Sequence, residues 1–182
     1  MSKIIVVNEE RCLGCKTCEI ECAVAHSEAK DLVRALTAGE KLQSRVHVEP
    51  FREFGMPLQC RHCEDAPCIT ICPTEAIRRP VENGPVLIES ERCIGCKFCL
   101  IVCPFGVIDL SRDGKATVKC DLCIERTEEG KEPACVTACP TGALEFADLD
   151  EWLKRRRQQA AKRLGVASGQ AQSIVSETED ER

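Results

Sequence analysis

The sequence predicts an α+β protein of short hairpins and short helices, built around cysteine more than around a large apolar core. Three observations carry that prediction. Sixteen of the 182 residues are cysteine. Aromatic residues are scarce, with five Phe, one Trp and no Tyr, so the side chains that supply much of an ordinary core are missing. The cysteines also fall into four quartets, with none left over, inside text that repeats. A chain of this length makes one compact domain or two small ones.

The first quartet is Cys12, Cys15, Cys18 and Cys22, and the third is Cys93, Cys96, Cys99 and Cys103; both are spaced C-x2-C-x2-C-x3-C. The second, Cys60, Cys63, Cys68 and Cys72, widens one gap to x4. The fourth, Cys120, Cys123, Cys135 and Cys139, holds a long insert after Cys123. Pro73, Pro104 and Pro140 follow the last cysteine of their quartets, whereas Ala23 follows Cys22. Cys72-Pro-Thr-Glu-Ala-Ile77, Cys103-Pro-Phe-Gly-Val-Ile108 and Cys139-Pro-Thr-Gly-Ala-Leu144 are variants of one phrase, which points to a duplicated unit.

Between the quartets the elements are slight. Residues 4–7, 86–88, 107–110, 116–118 and 143–146 read as short strands near turns. Asp113-Gly114 reads as a tight hairpin turn. Residues 16–22 and 97–103 read as short helices that carry the last two cysteines of their quartets. In the insert between quartets one and two, 27–38 reads as a helix and the alternating stretch 45–49 as a strand. A capping-box-like start at Asp148 and Glu151 opens a helix over 148–165, with Leu149, Trp152, Leu153, Ala160 and Leu164 along one face and Gly165 as its stop. Residues 166–182 are rich in Ser, Gln and acid and read as a disordered tail.

Composition closes off several function classes. The net charge of −5 argues against a general nucleic-acid binder, which needs a basic face. The apolar run 4–7 is too short for a signal peptide, and no stretch approaches the roughly 20 apolar residues that span a bilayer. A soluble, cytoplasmic chain is expected, in which cysteine pairs bind metal more often than each other. Gly14 and Gly95 lie in cysteine loops and form no nucleotide-binding motif. With the cysteines committed to metal, no catalytic Cys–His or Ser–His–Asp constellation remains.

The spacing itself names the metal site. A cubane [4Fe–4S] cluster needs four thiolates; C-x2-C-x2-C wraps three around it, and the cysteine of x3-C-P is carried away to ligate a second cluster. Zinc also uses C-x2-C pairs, and the fourth quartet alone fits a zinc ribbon fragment, but zinc does not require the C-P that follows. Quartets two and three are near in sequence and should exchange their last cysteines. One cluster is then held by Cys60, Cys63, Cys68 and Cys103, and a second by Cys72, Cys93, Cys96 and Cys99. Quartets one and four then supply a third cluster on Cys12, Cys15, Cys18 and Cys139, and a fourth on Cys22, Cys120, Cys123 and Cys135. The pairing of one with two and three with four is the open alternative. His26, His47 and His62 read as structural, because every cluster already has four thiolates. Lys16, Arg61, Lys97 and Lys119 stand beside ligands, where they offset cluster charge or serve as ordinary surface cations. Lys154, Arg155, Arg156 and Arg157 form a basic block that fits either an acidic partner or the solvated side of a helix.

Over residues 3–147 the sequence resembles the four-cluster iron–sulfur electron-transfer subunits that accompany molybdenum or tungsten oxidoreductases, hydrogenases and carbon monoxide dehydrogenases. The markers are the first quartet with Ala-Val-Ala-His26 after it, Gln59-Cys-Arg-His-Cys-Glu-Asp-Ala-Pro-Cys68, Cys93-Ile-Gly-Cys-Lys-Phe-Cys-Leu-Ile-Val-Cys-Pro104, and Lys119-Cys-Asp-Leu-Cys123 with Pro133-Ala-Cys135. The resemblance implies two ferredoxin-like modules related by a pseudo-two-fold axis and supports the one-with-four and two-with-three pairing. Module A would combine 1–56 with 113–147, and module B would be 57–112. The phrase around Cys22 is most similar to the carbon monoxide dehydrogenase-associated subunit, with formate dehydrogenase, hydrogenase and aldehyde oxidoreductase subunits nearly as close. The expected function is a non-catalytic relay through four [4Fe–4S] clusters between a catalytic subunit and a second redox partner, with the 148–165 helix docking or assembling it. A free soluble carrier and a filament-forming conduit are the alternatives.

Overall fold

The computed structural model describes residues 3–51 and 54–167, with side chains through Gly165. Among them the strands pair into four small antiparallel two-stranded sheets. β1 (Lys3–Val7) pairs with β8 (Leu144–Asp148), Lys3 opposite Asp148 and Val7 opposite Leu144, so the first strand closes on the last. β4 (Ile77–Arg78) pairs with β5 (Leu87–Ile88), and β6 (Asp109–Leu110) with β7 (Thr117–Val118). The turn between β6 and β7 is the expected one: Gly114 takes a positive φ of 71° and donates its N–H to Ser111 O at 2.7 Å. Two-stranded sheets are marginal alone, so their stability comes from what they cover.

They cover two cores. The first gathers Ile5, Val46, Val48, Leu122 and Leu144 around Cys18, Cys22, Cys120 and Cys135. The second gathers Ala66, Ile77, Val86 and Ile108 around Cys68 and Cys99. Short helices bring the cysteines in: α1 (Thr17–Ala25), α3 (Pro67–Thr70), α4 (Phe98–Val102), α5 (Ile124–Glu128), which starts directly after Cys123, and α6 (Ala134–Thr137). α3 starts on Pro67, whose missing N–H costs nothing in a first turn. α3, α4 and α6 stop at or before the cysteine that precedes Pro73, Pro104 or Pro140, because a residue before proline is pushed out of the helical region. Ala23 imposes no such stop, and α1 runs on to Ala25.

The insert differs from its sequence reading in two places. Only Leu32–Thr37 is helical (α2), capped by Asp31, which accepts from Arg34 N at 2.9 Å. Upstream, the amides of Glu28 and Ala29 are bonded to the Glu40 carboxylate at 2.9 and 3.0 Å, which holds that stretch in a different path. The strand at 45–49 is present as β2 (Val46–Phe51), but it pairs with a strand that the sequence conceals, β3 (Phe54–Gln59). Gly55 and Pro57 are buried in it, against the first cysteine loop. A Cβ on Gly55 would lie 2.7 Å from Gly14 Cα and 3.1 Å from Cys12 Sγ.

The C-terminal helix α7 (Leu149–Ala167) starts as expected: Asp148 accepts from Asp150 N at 3.0 Å and Glu151 N at 3.2 Å. It does not stop at Gly165 but continues through it to Ala167. A glycine in an exposed helix costs only about 1 kcal/mol, too little to end it. Past residue 167 the expected acidic tail lies outside the described residues. The β2–β3 hairpin leans so closely on the first cysteine loop that Gly55→Ala should fail there. The expected result is a loss of stability of about 1–3 kcal/mol, as for overpacking, read as a lower midpoint in chemical denaturation, with less iron retained per chain.

Candidate cluster-binding sites

Each C-x3-C step puts its two cysteines at positions i and i+4, the spacing of neighbours on one helical face. Cys18 and Cys22 both lie on α1, and Cys135 opens toward Cys139 across α6. The first two cysteines of a quartet sit in a loop that must curl tightly before the helix that carries the third, and that curl uses left-handed backbone. Gly14 and Gly95 both have φ 66°, and Lys16 and Lys97 follow at 60° and 67°. In quartets two and four the same task falls to His62 at 49° and Leu122 at 60°.

The cysteines converge in four groups. One cavity is lined by Cys12, Cys15, Cys18 and Cys139 with Val48, Pro57 and Leu144 around them. A second is lined by Cys60, Cys63, Cys68 and Cys103 with Ala66, Val86 and Ile108. A third is lined by Cys72, Cys93, Cys96 and Cys99 with Ile77 and Thr117. The fourth group is the most deeply buried: Cys22, Cys120, Cys123 and Cys135 are all buried, and Cys120, Cys22 and Cys123 act together with burial to push Cys135 up. We refer to these as sites I, II, III and IV, in the order of the quartets that give each its first three cysteines. All sixteen cysteines are free thiols. Four soft sulfur donors in an apolar wall match a [4Fe–4S] cube, and when bound such a cube supplies reversible one-electron chemistry.

The thiols themselves say what must balance them. Burial pushes Cys18, Cys68 and Cys123 up to about 11 and Cys120 up to about 12, and the neighbouring cysteines push in the same direction. Thiolates at such positions form only together with bound cations, so metal binding and deprotonation are coupled. Hydrogen bonds supply the remaining support. Amides of His62, Leu122, Arg45 and Ala143 reach Cys60, Cys120, Cys22 and Cys139 Sγ at 3.4, 3.5, 3.3 and 3.2 Å. Burial would raise Cys72 and Cys139, but amides together with Thr74 and Thr141 outweigh it and lower both. The buried hydroxyl of Thr117 lies 3.8 Å from Cys93 Sγ and 3.7 Å from Cys99 Sγ.

The three histidines serve the protein frame. His26, carried by the extra turn of α1, places Nδ1 2.7 Å from Cys22 O and Nε2 3.0 Å from Asp121 Oδ1. Asp121 also holds Arg45 at 2.5 Å. Burial would lower His26, but Asp121 and Cys22 raise it to about 9. His26, Asp121 and Cys123 bring potential ligand atoms within 4.8 Å of one another, yet His26 and Asp121 spend theirs on each other and Cys123 belongs to site IV. His47 Nε2 pairs with Asp109 at 3.0 Å, which ties β2 to β6. His62 is held down to about 3 by burial and then by the charge of Lys119, and its Nδ1 accepts the Val86 N–H at 3.0 Å. Lys16 pairs with Glu19 at 3.5 Å and Arg61 is exposed. Lys119 is buried, which its place in the sequence does not announce.

Sequence comparison finds the same cofactor class. The chain matches the 4Fe-4S dicluster domain over residues 51–149 and the 4Fe-4S binding domain over residues 9–25. It is 43% identical over 173 residues to an iron-sulfur protein of Rhodospirillum rubrum, covering 88% of this chain and 90% of that protein. It is 42% identical to the putative electron transport protein YsaA of Escherichia coli, covering 87% and 98%. It is 36% identical to the thiosulfate reductase electron transfer subunit PhsB of Salmonella typhi, covering 87% and 86%. With sixteen cysteines in four convergent groups, the chain belongs to the family of ferredoxin-type electron-transfer proteins that carry four [4Fe–4S] clusters.

Proposed function

We propose that this protein is the electron-relay subunit of an oxidoreductase complex, with sites I to IV as its four cluster sites and no catalysis of its own. The observation that carries this reading is the serial adjacency of the cysteine groups. Cys18 of site I packs with Cys120 and Cys135 of site IV in the first core, and both sites share α1 through Cys18 and Cys22. Cys60 of site II packs against the same core, which holds Cys120 of site IV. α3 packs on α4 and joins site II to site III. The order along the molecule is therefore I, IV, II, III. Cys15 and Cys96, at the two outer sites, are exposed, while all four cysteines of site IV are buried. An electron can enter at one exposed end and leave at the other, and the protein walls in the middle.

The equal left-handed positions of quartets one and three, and the matched Cys72–Thr74 and Cys139–Thr141 contacts at 3.7 Å, support two modules related by a pseudo-two-fold axis. In this assignment β7 joins the second module, because Thr117 meets Cys93 and Cys99. The thiosulfate reductase relative supports a catalytic reductase or dehydrogenase as partner. The carbon monoxide dehydrogenase, formate dehydrogenase or hydrogenase, and tungsten or molybdenum aldehyde oxidoreductase types remain the candidates drawn from motif resemblance. Among the described residues no helix is long and apolar enough to cross a membrane. α7 is the docking element in this reading: it rests on β8, to which Arg155 is tied by an ion pair with Glu145, and it leaves Lys154, Arg156, Arg157 and Leu164 exposed.

Anaerobically purified protein should contain about four iron and four sulfide per cluster. The exchange of last cysteines is tested by paired substitutions. Cys72→Ser and Cys93→Ser should alter the same EPR signal, and Cys60→Ser and Cys103→Ser another; a signal shared by Cys60→Ser and Cys72→Ser would overturn the assignment. Thr117→Val removes the hydroxyl beside Cys93 and Cys99 and should lower the midpoint potential of the site III signal, because hydrogen bonds to sulfur raise it. Truncation before Leu149 should leave cluster content and potentials intact and abolish copurification with a large catalytic partner. If the full-length chain instead self-associates through α7, light scattering will show filaments that the truncated chain does not form.

A further inference from the structure

Lys119 is the one buried residue among those described that carries a formal charge; it is 4% exposed. It immediately precedes Cys120, so the sequence associates it with site IV. The structure turns its side chain toward site II. Its Nζ donates to Val86 O and, at 3.0 Å, to Cys120 O. Val86 belongs to the second core and walls the site II cavity, together with Cys60, Cys63, Cys68 and Cys103. The N–H of Val86 is in turn taken by His62 Nδ1. The peptide groups at Val86 are thus held from both sides, by a residue of quartet two and by the residue that opens quartet four.

Both acceptors of the ammonium are neutral carbonyls. A buried cation bonded only to dipoles is costly unless negative charge stands nearby. The sulfurs of site II are that charge: the Val86 carbonyl that takes the ammonium belongs to the wall of the cavity on which Cys60, Cys63, Cys68 and Cys103 converge. Arg61, the other cation beside these ligands in sequence, is exposed, where water screens it.

We propose that Lys119, a neighbour of a site IV ligand in the chain, raises the reduction potential of site II. This rests on the assignment of Cys60, Cys63, Cys68 and Cys103 to one cluster. On reduction, one electron arrives from an adjoining site, no bond is made or broken and no proton moves. The fixed positive charge favours the more negative state. Site II is a middle station in the order I, IV, II, III, so Lys119 acts as a positioning residue for the inner step of the relay and touches no redox partner.

The test is EPR-monitored redox titration of the full-length protein carrying its four clusters, in wild type, Lys119→Met, Lys119→Gln and, as a control, Arg61→Gln. The site II signal is identified beforehand as the one altered by both Cys63→Ser and Cys103→Ser. Both neutral Lys119 variants should shift that signal to lower potential by about a tenfold change in the reduced-to-oxidised ratio, 59 mV for a one-electron couple. Sites I and III should stay in place, and Arg61→Gln should change nothing. Potentials that do not move, a larger shift at site IV than at site II, or an equal effect of Arg61→Gln would each overturn the proposal. If neither neutral variant loads four clusters, Lys119→Arg decides. Full loading with the wild-type site II potential supports a requirement for charge, and failure to load overturns it in favour of a steric fit. Failure of the underlying assignment looks different: Cys63→Ser and Cys103→Ser would then alter different signals in protein whose Lys119 is intact.

Discussion

Sulfur facing sulfur is the constraint on which the rest of this structure depends. The first core counts four cysteines among its nine buried residues, and the second two among its six. Groups of four buried thiolates repel one another and lose their hydration, and only bound iron turns that arrangement from a cost into a bond. A chain so poor in aromatics has no alternative store of apolar area. The short sheets make sense on this basis: a two-residue pair such as Ile77–Arg78 with Leu87–Ile88 contributes little stability, but it lays Ile77 over a cysteine group.

The parts of the fold that the sequence makes legible are those dictated by ligand geometry. The spacing of Cys12, Cys15 and Cys18 requires a tight loop, and Gly14 and Lys16 take the left-handed conformations that such a loop needs. Asp113-Gly114 announces its hairpin because only turn chemistry is involved. β3 was hidden because Gly55 and Pro57 are chosen for close contact with the first cysteine loop, and that contact is made across forty residues of sequence. The same limit explains the stretch before α2, where Glu40 captures the amides of Glu28 and Ala29 from a distance no local pattern reports.

Charge placement was less legible than sulfur placement. Lys16, Arg61, Lys97 and Lys119 look equivalent in the sequence, each beside a cysteine. In the structure Lys16 pairs with Glu19, Arg61 is exposed, and Lys119 is buried against the backbone of Val86, which walls another site. The direction of a side chain from a curled loop depends on the left-handed residues around it, here Leu122 and Cys123, and those depend on the metal site as a whole. Sequence adjacency to a ligand is therefore a poor guide to which cluster a cation serves.

The single missing proline shows how a small local difference reaches the middle of the relay. Where proline follows the last cysteine, the helix ends and the chain turns back toward a strand. Ala23 lets α1 continue, and the extra turn delivers His26 to Asp121, 95 residues away. Asp121 lies between Cys120 and Cys123, and Arg45 from the insert closes on its other oxygen. Quartet one, the insert and quartet four are thereby clamped around site IV, the group with the least access to water. An inner station needs such a clamp more than an outer one. Cys15 and Cys96 can be exposed where a partner meets them, whereas the buried middle must hold its geometry while charge passes through it.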